Sequence, residues 1–173
     1  MADPHPSAEI DDRYGSPGAK AIPWTVAWQA FDQAEIYWLS TVRADGRPHI
    51  TPVVAVSLDG VAYISSGPEE QKVQNLAGNA HCILMTGTNK MATSLDVVLE
   101  GDAVRVTDAA TLGAVAAAYG EKYDEPFHFV AGDGVLNGGA GGDSFVFRIE
   151  PAKAFCFGRG ADVTQTRYRF PRR

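Results

Sequence analysis

Two Asp-Gly pairs, Asp45-Gly46 and Asp59-Gly60, separate three runs of β-forming residues: Ile36 to Arg43, Pro48 to Leu58 and Val61 to Ser66. This spacing constrains the fold more than any other feature of the chain. Val, Ile, Tyr and Trp at a period of two suit a half-buried pleated surface, and Asp-Gly accepts the positive φ angles of tight hairpin turns. The segment predicts a three-stranded antiparallel meander. Pro52 falls inside the second run, and its missing N–H restricts it to an edge, a bulge or a strand end. An interrupted sheet there offers main-chain groups to a flat aromatic ligand; a plain edge strand accounts for the proline equally well.

Further β-runs follow at Ala80 to Thr86, Leu95 to Thr107, Ser144 to Ile149 and Lys153 to Phe157, the last two separated by Pro151. Gly101 is a natural corner in the longest of them. Helical spacing of Trp24, Ala27, Trp28, Phe31 and Ala34 predicts a helix over 24–35, with Thr25 as a candidate cap. Ser65 to Gly78 carries helix punctuation, with Pro68 and two acids near its start and glycine at its end. Asp108 to Tyr119 is amphipathic, with Leu112, Val115, Ala116 and Tyr119 on one stripe. A weaker pattern adds a helical turn over 123–129. The six glycines between Gly132 and Gly142 follow neither GxGxxG nor GK[ST] order, so they read as a surface loop or a lid. The sum is a mainly β chain with helices (α+β), an antiparallel barrel closed or half-closed. Residues 1–22 read as a flexible arm and 23–173 as a single domain.

Composition narrows the function. Fifteen basic against 21 acidic residues give a net charge of −6, which opposes binding to nucleic-acid phosphates. The balance reverses at the end: Arg148, Lys153, Arg159, Arg167, Arg169, Arg172 and Arg173 stand in the last 26 residues beside Glu150 and Asp162. That segment is either a solvated, frayed terminus or a surface for an anionic ligand or partner subunit. Cys82 and Cys156 sit in apolar runs without CxxC spacing and read as buried free thiols. The first twenty residues lack a signal-peptide core, and no segment has the length of a membrane span, so a soluble cytoplasmic protein is expected.

HExxH, GxSxG and Walker motifs are absent, and His5, His49, His81 and His128 lack metal-ligand spacing, so no metal site is expected. One constellation remains. Arg47 to Val53 opens one strand, Ser65-Ser66 ends its neighbour, and Lys72 follows on a helix. Hydroxyls, helix-start N–H groups and an ammonium form a candidate phosphate site, while helix capping and an exposed lysine account for the same residues.

Asp-Gly-Arg-Pro-His-Ile-Thr-Pro-Val (45–53), Ala-Tyr-Ile-Ser-Ser-Gly-Pro-Glu-Glu-Gln-Lys (62–72) and Asn-Leu-Ala-Gly-Asn-Ala (75–80) resemble the pyridoxamine-phosphate-oxidase-like superfamily. The likeness covers roughly residues 25 to 158. It implies a six-stranded antiparallel split β-barrel of the FMN-binding type, assembled as a homodimer around its cofactor. Within that superfamily the chain looks most like the actinobacterial flavin/deazaflavin-dependent oxidoreductases, and Gln165 to Phe170 adds to the likeness. The implied cofactor is an 8-hydroxy-5-deazaflavin coenzyme, with flavin mononucleotide (FMN) as the alternative. The resemblance sets the ring against Thr51, Pro52 and Val53 with His49 nearby, and the ribityl-phosphate arm near Ser65, Ser66, Gln71 and Lys72. It also brings Trp24, Asn89 or Tyr168 across from a partner subunit.

The chain departs from the FMN oxidases in one respect. Ile50 to Val56 has no arginine for the phosphate, and Gln71 replaces the arginine before the lysine. A deazaflavin, with its phosphodiester and polyglutamate tail, fits a pocket holding Lys72 alone, and the basic C-terminal segment is a candidate partner for the tail carboxylates. The implied activity is hydride transfer between the bound ring and a small conjugated substrate, with no residue identified as an obligatory acid or base. A non-catalytic carrier or sensor of the same cofactor is the remaining alternative.

Overall fold

The computed structural model describes residues 6–125, 127–138 and 142–171. In chain order it forms β1 (Ser7–Ile10), a 3-10 turn (Asp12–Tyr14), α1 (Trp24–Asp32), β2 (Tyr37–Val42), β3 (Pro48–Val53) and β4 (Ala55–Leu58). These are followed by β5 (Val61–Ser66), α2 (Gln71–Gly78), β6 (His81–Thr86), β7 (Ser94–Val106) and α3 (Ala109–Lys122). The chain ends with β8 (Phe129–Ala131), β9 (Leu136–Gly138), β10 (Phe145–Arg159) and β11 (Thr164–Arg169). It divides into two compact units, one of Glu35–Cys82 with Gly101–Glu150, the other of Met1–Ala34, Ile83–Glu100 and Pro151–Arg173. Strands β6, β7 and β10 contribute to both.

In the first unit the two Asp-Gly pairs make different turns. At the β2–β3 hairpin only Gly46 has a positive φ, +84°, while Arg43 N–H donates to Arg47 O at 2.9 Å and Gly46 N–H to Arg43 O at 2.8 Å. This is a three-residue loop closed by a left-handed glycine. At the β4–β5 hairpin Asp59 (φ 51°) and Gly60 (φ 78°) are both left-handed, the two-residue turn whose twist matches its strands, and Leu58 stands opposite Val61. The predicted second strand bends at Val54 and serves two ladders, β3 against β2 and β4 against β5. β5 also pairs antiparallel with the first part of β10, Ser66 opposite Phe145 and Ala62 opposite Ile149.

α3 is capped by Asp108, whose carboxylate accepts the Thr111 N–H at 2.8 Å. Its predicted stripe of Leu112, Val115, Ala116 and Tyr119 is buried against Val56, Tyr63, Val106, Leu136 and Val146. Each large side chain so buried stabilises the unit by about 1.5–3 kcal/mol. At Gly101 a Cβ would overlap the Glu150 carbonyl oxygen, so two backbones approach here as only glycine permits.

The predicted helical turn over 123–129 and the glycine-rich loop are corrected in part. Phe129–Ala131 and Leu136–Gly138 form an antiparallel hairpin, closed by Gly132 N–H on Val135 O at 2.8 Å. Apolar anchors explain it: Phe129 packs edge-on to Tyr119 at 5.2 Å, and Leu136 is fully buried. Residues 139–141 lie outside the described residues.

In the second unit β1 pairs with β11, and β11 with the later part of β10. The arm predicted to be flexible through residue 22 therefore carries a paired strand, Ser7 to Ile10 opposite Arg169 to Thr166. The frayed basic terminus is likewise a strand as far as Arg169, because Thr166 and Tyr168 alternate inward and are fully buried. Tyr168 Oη donates to Ile22 O at 2.7 Å, and the Trp24 ring lies 5.0 Å from its own. Pro151, expected to separate two strands, lies within β10, between its ladder with β5, which ends at Ile149, and its ladder with β11, which starts at Lys153. α1 starts at Trp24 behind Pro23 without a side-chain cap, so Thr25 does not serve as one.

Cys82 and Cys156 are buried free thiols, each pushed up to about 12 by burial. Among the described residues no helix is long and apolar enough to cross a membrane.

Candidate functional site

The predicted site residues all belong to the first unit, on β3, the end of β5 and the start of α2. Antiparallel alternation sorts the β2–β3 hairpin into two faces. His49, Thr51 and Val53 stand opposite Thr41, Leu39 and Tyr37, which are buried; Pro48, Ile50 and Pro52 stand opposite Val42, Ser40 and Trp38 on the other face. Thr51 and Val53 thus share a face with His49, whereas Pro52 lies with Trp38, and a ring cannot meet all three side chains from one side.

The Arg43–Arg47 bond sets the ladder phase: hydrogen-bonded pairs alternate, so residues 49, 51 and 53 direct their N–H groups to β2. Residues 48, 50 and 52 face the free edge, because β3 ends the strand order. Pro48 and Pro52 cost no ladder bond there, and that edge presents three carbonyls and the single N–H of Ile50. Pro52 is an edge-strand proline.

Strand alternation also separates the two serines. Ser65 is hydrogen-bonded to the Tyr119 phenol in the core, while Ser66, buried, turns the other way. A turn from Gly67 to Glu70, closed by Glu70 N–H on Gly67 O at 3.1 Å, leads into α2. Glu70 folds back over it. One carboxylate oxygen accepts from Ser66 Oγ at 2.9 Å and from Gly67 N–H at 2.8 Å, and the other accepts from Lys72 Nζ. Burial pulls the Glu70 carboxyl up, but Lys72, Gly67 and Ser66 together outweigh it and hold the group below its ordinary value. Lys72 is buried, and the Glu70 side chain is half exposed.

α2 joins the two halves of the site. Gln71 Nε2 donates to Asn75 Oδ1 at 2.8 Å, one helical turn on, and Asn75 Nδ2 donates to Thr41 Oγ1 at 2.9 Å. Thr41 Oγ1 in turn lies 3.5 Å from His49 Nδ1. Gln71 and His49 are thus connected through two buried residues, Asn75 and Thr41, that the sequence reading did not single out. The signal was present in the spacing, since 71 and 75 share a helix face. Glu70, one of the two acids near the start of the predicted helix, takes Lys72 as its partner, a lysine two residues on.

Thr51 Oγ1 is buried without a hydrogen-bond partner among the described residues. An orphaned hydroxyl on the His49 face, beside a network of polar side chains, fits a ligand with a polar ring edge, and Ser66, Gly67 and Lys72 fit an anionic arm. Among the described residues, Arg159, Arg167 and Arg169 contact acids of the chain itself. Arg167 and Arg169 bind Glu9 at 2.6 and 3.4 Å, and Arg159 binds Ser94 and Asp96. A cleft of about 390 Å3 in the second unit, lined by Glu9, Asp11, Arg13, Phe155 and Arg167 among others, contains none of the predicted site residues. Its arginines are held by its own acids.

The fold recurs in known structures. The heme-binding protein from Mycobacterium smegmatis superposes with a TM-score of 0.65 at 17% identity, over 80% of this chain and 55% of that one. This chain thus spans little more than half that protein's length. The FAD-binding protein from the same organism gives 0.56 at 17% identity, over 84% and 94%. The heme storage protein from Vibrio cholerae gives 0.60 at 20% identity, over 77% and 94%. No curated protein matches the chain in sequence. The family model for pyridoxamine 5'-phosphate oxidase matches residues 25–155, three quarters of the chain and all of the site described above. With the split-barrel fold and its flavin- and heme-binding neighbours, that match means that the chain belongs to the pyridoxamine 5'-phosphate oxidase family.

Proposed function

We propose that this protein is an oxidoreductase that binds an 8-hydroxy-5-deazaflavin coenzyme on the β3 face and uses it to reduce or oxidise a small conjugated organic substrate. The observations that carry the reading are the buried, unpartnered Thr51 hydroxyl on the His49 face and, in the same unit, an anion-donor set holding a single cation, Lys72. A phosphodiester with one negative charge suits that set better than a phosphomonoester with two. The FMN-dependent reading loses support for the same reason. The neighbours described as FAD- or heme-binding support a flat conjugated ligand in this fold, and they keep a non-catalytic carrier as the competing reading.

When bound, the ring supplies hydride chemistry. The chain's part is placement. Thr51 donates to the ring edge, His49 is held by Thr41, and Lys72 with Ser66 anchors the arm. Self-association is part of the proposal. Ile36, Trp38, Val42 and Ile50 are exposed apolar side chains of one hairpin, a surface suited to a second copy of the chain.

The test is a parallel titration of the full chain with the deazaflavin and with FMN, following tryptophan quenching, in wild type, Thr51→Val and Lys72→Ala. Preference for the deazaflavin, weakened in both variants, is the expected result. Preference for FMN overturns the cofactor assignment, and binding without turnover of any electron acceptor overturns the enzyme assignment in favour of a carrier.

A further inference from the structure

Glu70 occupies the place of a ligand. Its carboxylate takes the Ser66 hydroxyl, the Gly67 N–H and the Lys72 ammonium, three donors from the end of β5, the turn and the first residues of α2. An external oxyanion at this point would use the same three groups. The carboxylate also cancels the one positive charge of the set, and its half-exposed side chain can rotate into solvent while Lys72 stays buried.

We propose that Glu70 is the specificity-determining residue of this site, an internal anion that disfavours dianionic phosphomonoesters and admits ligands whose arm carries at most one negative charge. The inference rests on the site reading above, in which the arm of the cofactor lies at Ser66 and Lys72. A dianion must either displace Glu70 from all three donors or lie beside it with no net positive charge to meet it. A singly charged phosphodiester incurs less of that repulsion, and an uncharged arm incurs none. Replacement of Glu70 by glutamine keeps the shape and leaves Lys72 as an uncompensated cation, so the set then favours a phosphate.

The experiment titrates wild type and Glu70→Gln with FMN, with riboflavin, which shares the ring and lacks the phosphate, and with inorganic phosphate. Calorimetry reads the affinities. The expected result is FMN binding about tenfold tighter in Glu70→Gln, with riboflavin unchanged within about twofold. Equal shifts for both flavins, or no gain for FMN, overturn the proposal. If neither flavin binds either protein, the deazaflavin reading stands or falls on its own titration and inorganic phosphate decides the role of Glu70. Phosphate binding gained in Glu70→Gln sustains the role of Glu70, and no gain refutes it. Glu70→Ala, which lets water reach Lys72, serves as the second variant should Glu70→Gln fold poorly; the same outcomes apply.

Discussion

Replacing Asn75 by alanine tests whether the link between α2 and the β2–β3 hairpin is a structural element in its own right. Asn75 is 5% exposed, and it is the 2.9 Å donor to Thr41 Oγ1, itself 1% exposed. Its other bond, from the exposed Gln71, is readily replaced by water and contributes little. The lost buried bond is worth about 1 kcal/mol, and leaving the Thr41 hydroxyl with only the long His49 contact costs about 1–2 kcal/mol more, for a total of roughly 2–3 kcal/mol. At about 2–4 °C per kcal/mol for a chain of this size, the melting temperature drops by about 4–12 °C. Urea unfolding followed by tryptophan fluorescence measures the loss, with the m-value unchanged. Adding Thr41→Val removes the stranded hydroxyl, so the double variant is expected to recover about 1 kcal/mol relative to additivity. A loss in Asn75→Ala below about 0.5 kcal/mol, or strict additivity, refutes the reasoning.

Gly101→Ala places a methyl group against the Glu150 carbonyl and is expected to cost about 2–4 kcal/mol, read as a lowered melting temperature. The thiols of Cys82 and Cys156, ordinarily near 9.0, are raised to about 12 in the folded chain. The folded state therefore holds protons that the unfolded state releases: the stabilisation is complete below about pH 9 and declines as pH rises toward 12, on the order of 1 kcal/mol per pH unit for each thiol. Urea midpoints measured across that range are expected to fall less steeply in Cys82→Ala. Trp38→Arg combined with Ile50→Lys puts two charges on the exposed hairpin face and is expected to convert a dimer to a monomer by light scattering; an intact dimer rules out that face as the interface.

Much of the architecture was legible because it is locally encoded. Asp-Gly at 45–46 and 59–60 placed two hairpins, and the stripe at 112, 115, 116 and 119 identified the buried side of α3, since both signals depend on residues near one another in the chain. The sequence marks Gly101 as a corner of the longest run; what requires a glycine there is the Glu150 backbone, a partner far along the chain. The seven predicted β-runs correspond to β2, β3 with β4, β5, β6, β7 and β10, the last of which takes up two of them.

What escaped the sequence reading depends on partners far along the chain. Ser7 to Ile10 and Thr164 to Arg169 are short segments rich in polar and charged residues; they pair as strands because each completes the other's hydrogen bonds across 160 residues, as the Arg169–Glu9 contact illustrates. The same long-range pairing sets Arg167 and Arg169 of the apparent basic tail against Glu9. At the candidate site the sequence supplied His49, Thr51, Ser66, Gln71 and Lys72. It did not supply the Asn75–Thr41 connection, nor the two strand faces that part Pro52 from Thr51 and Ser65 from Ser66. Residue types and spacing determined which hydrogen-bonding groups the chain has available. Tertiary structure decided which of them meet, because a carboxylate, an ammonium and a hydroxyl find their partners by where the backbone places them, and here it placed Glu70 on Lys72.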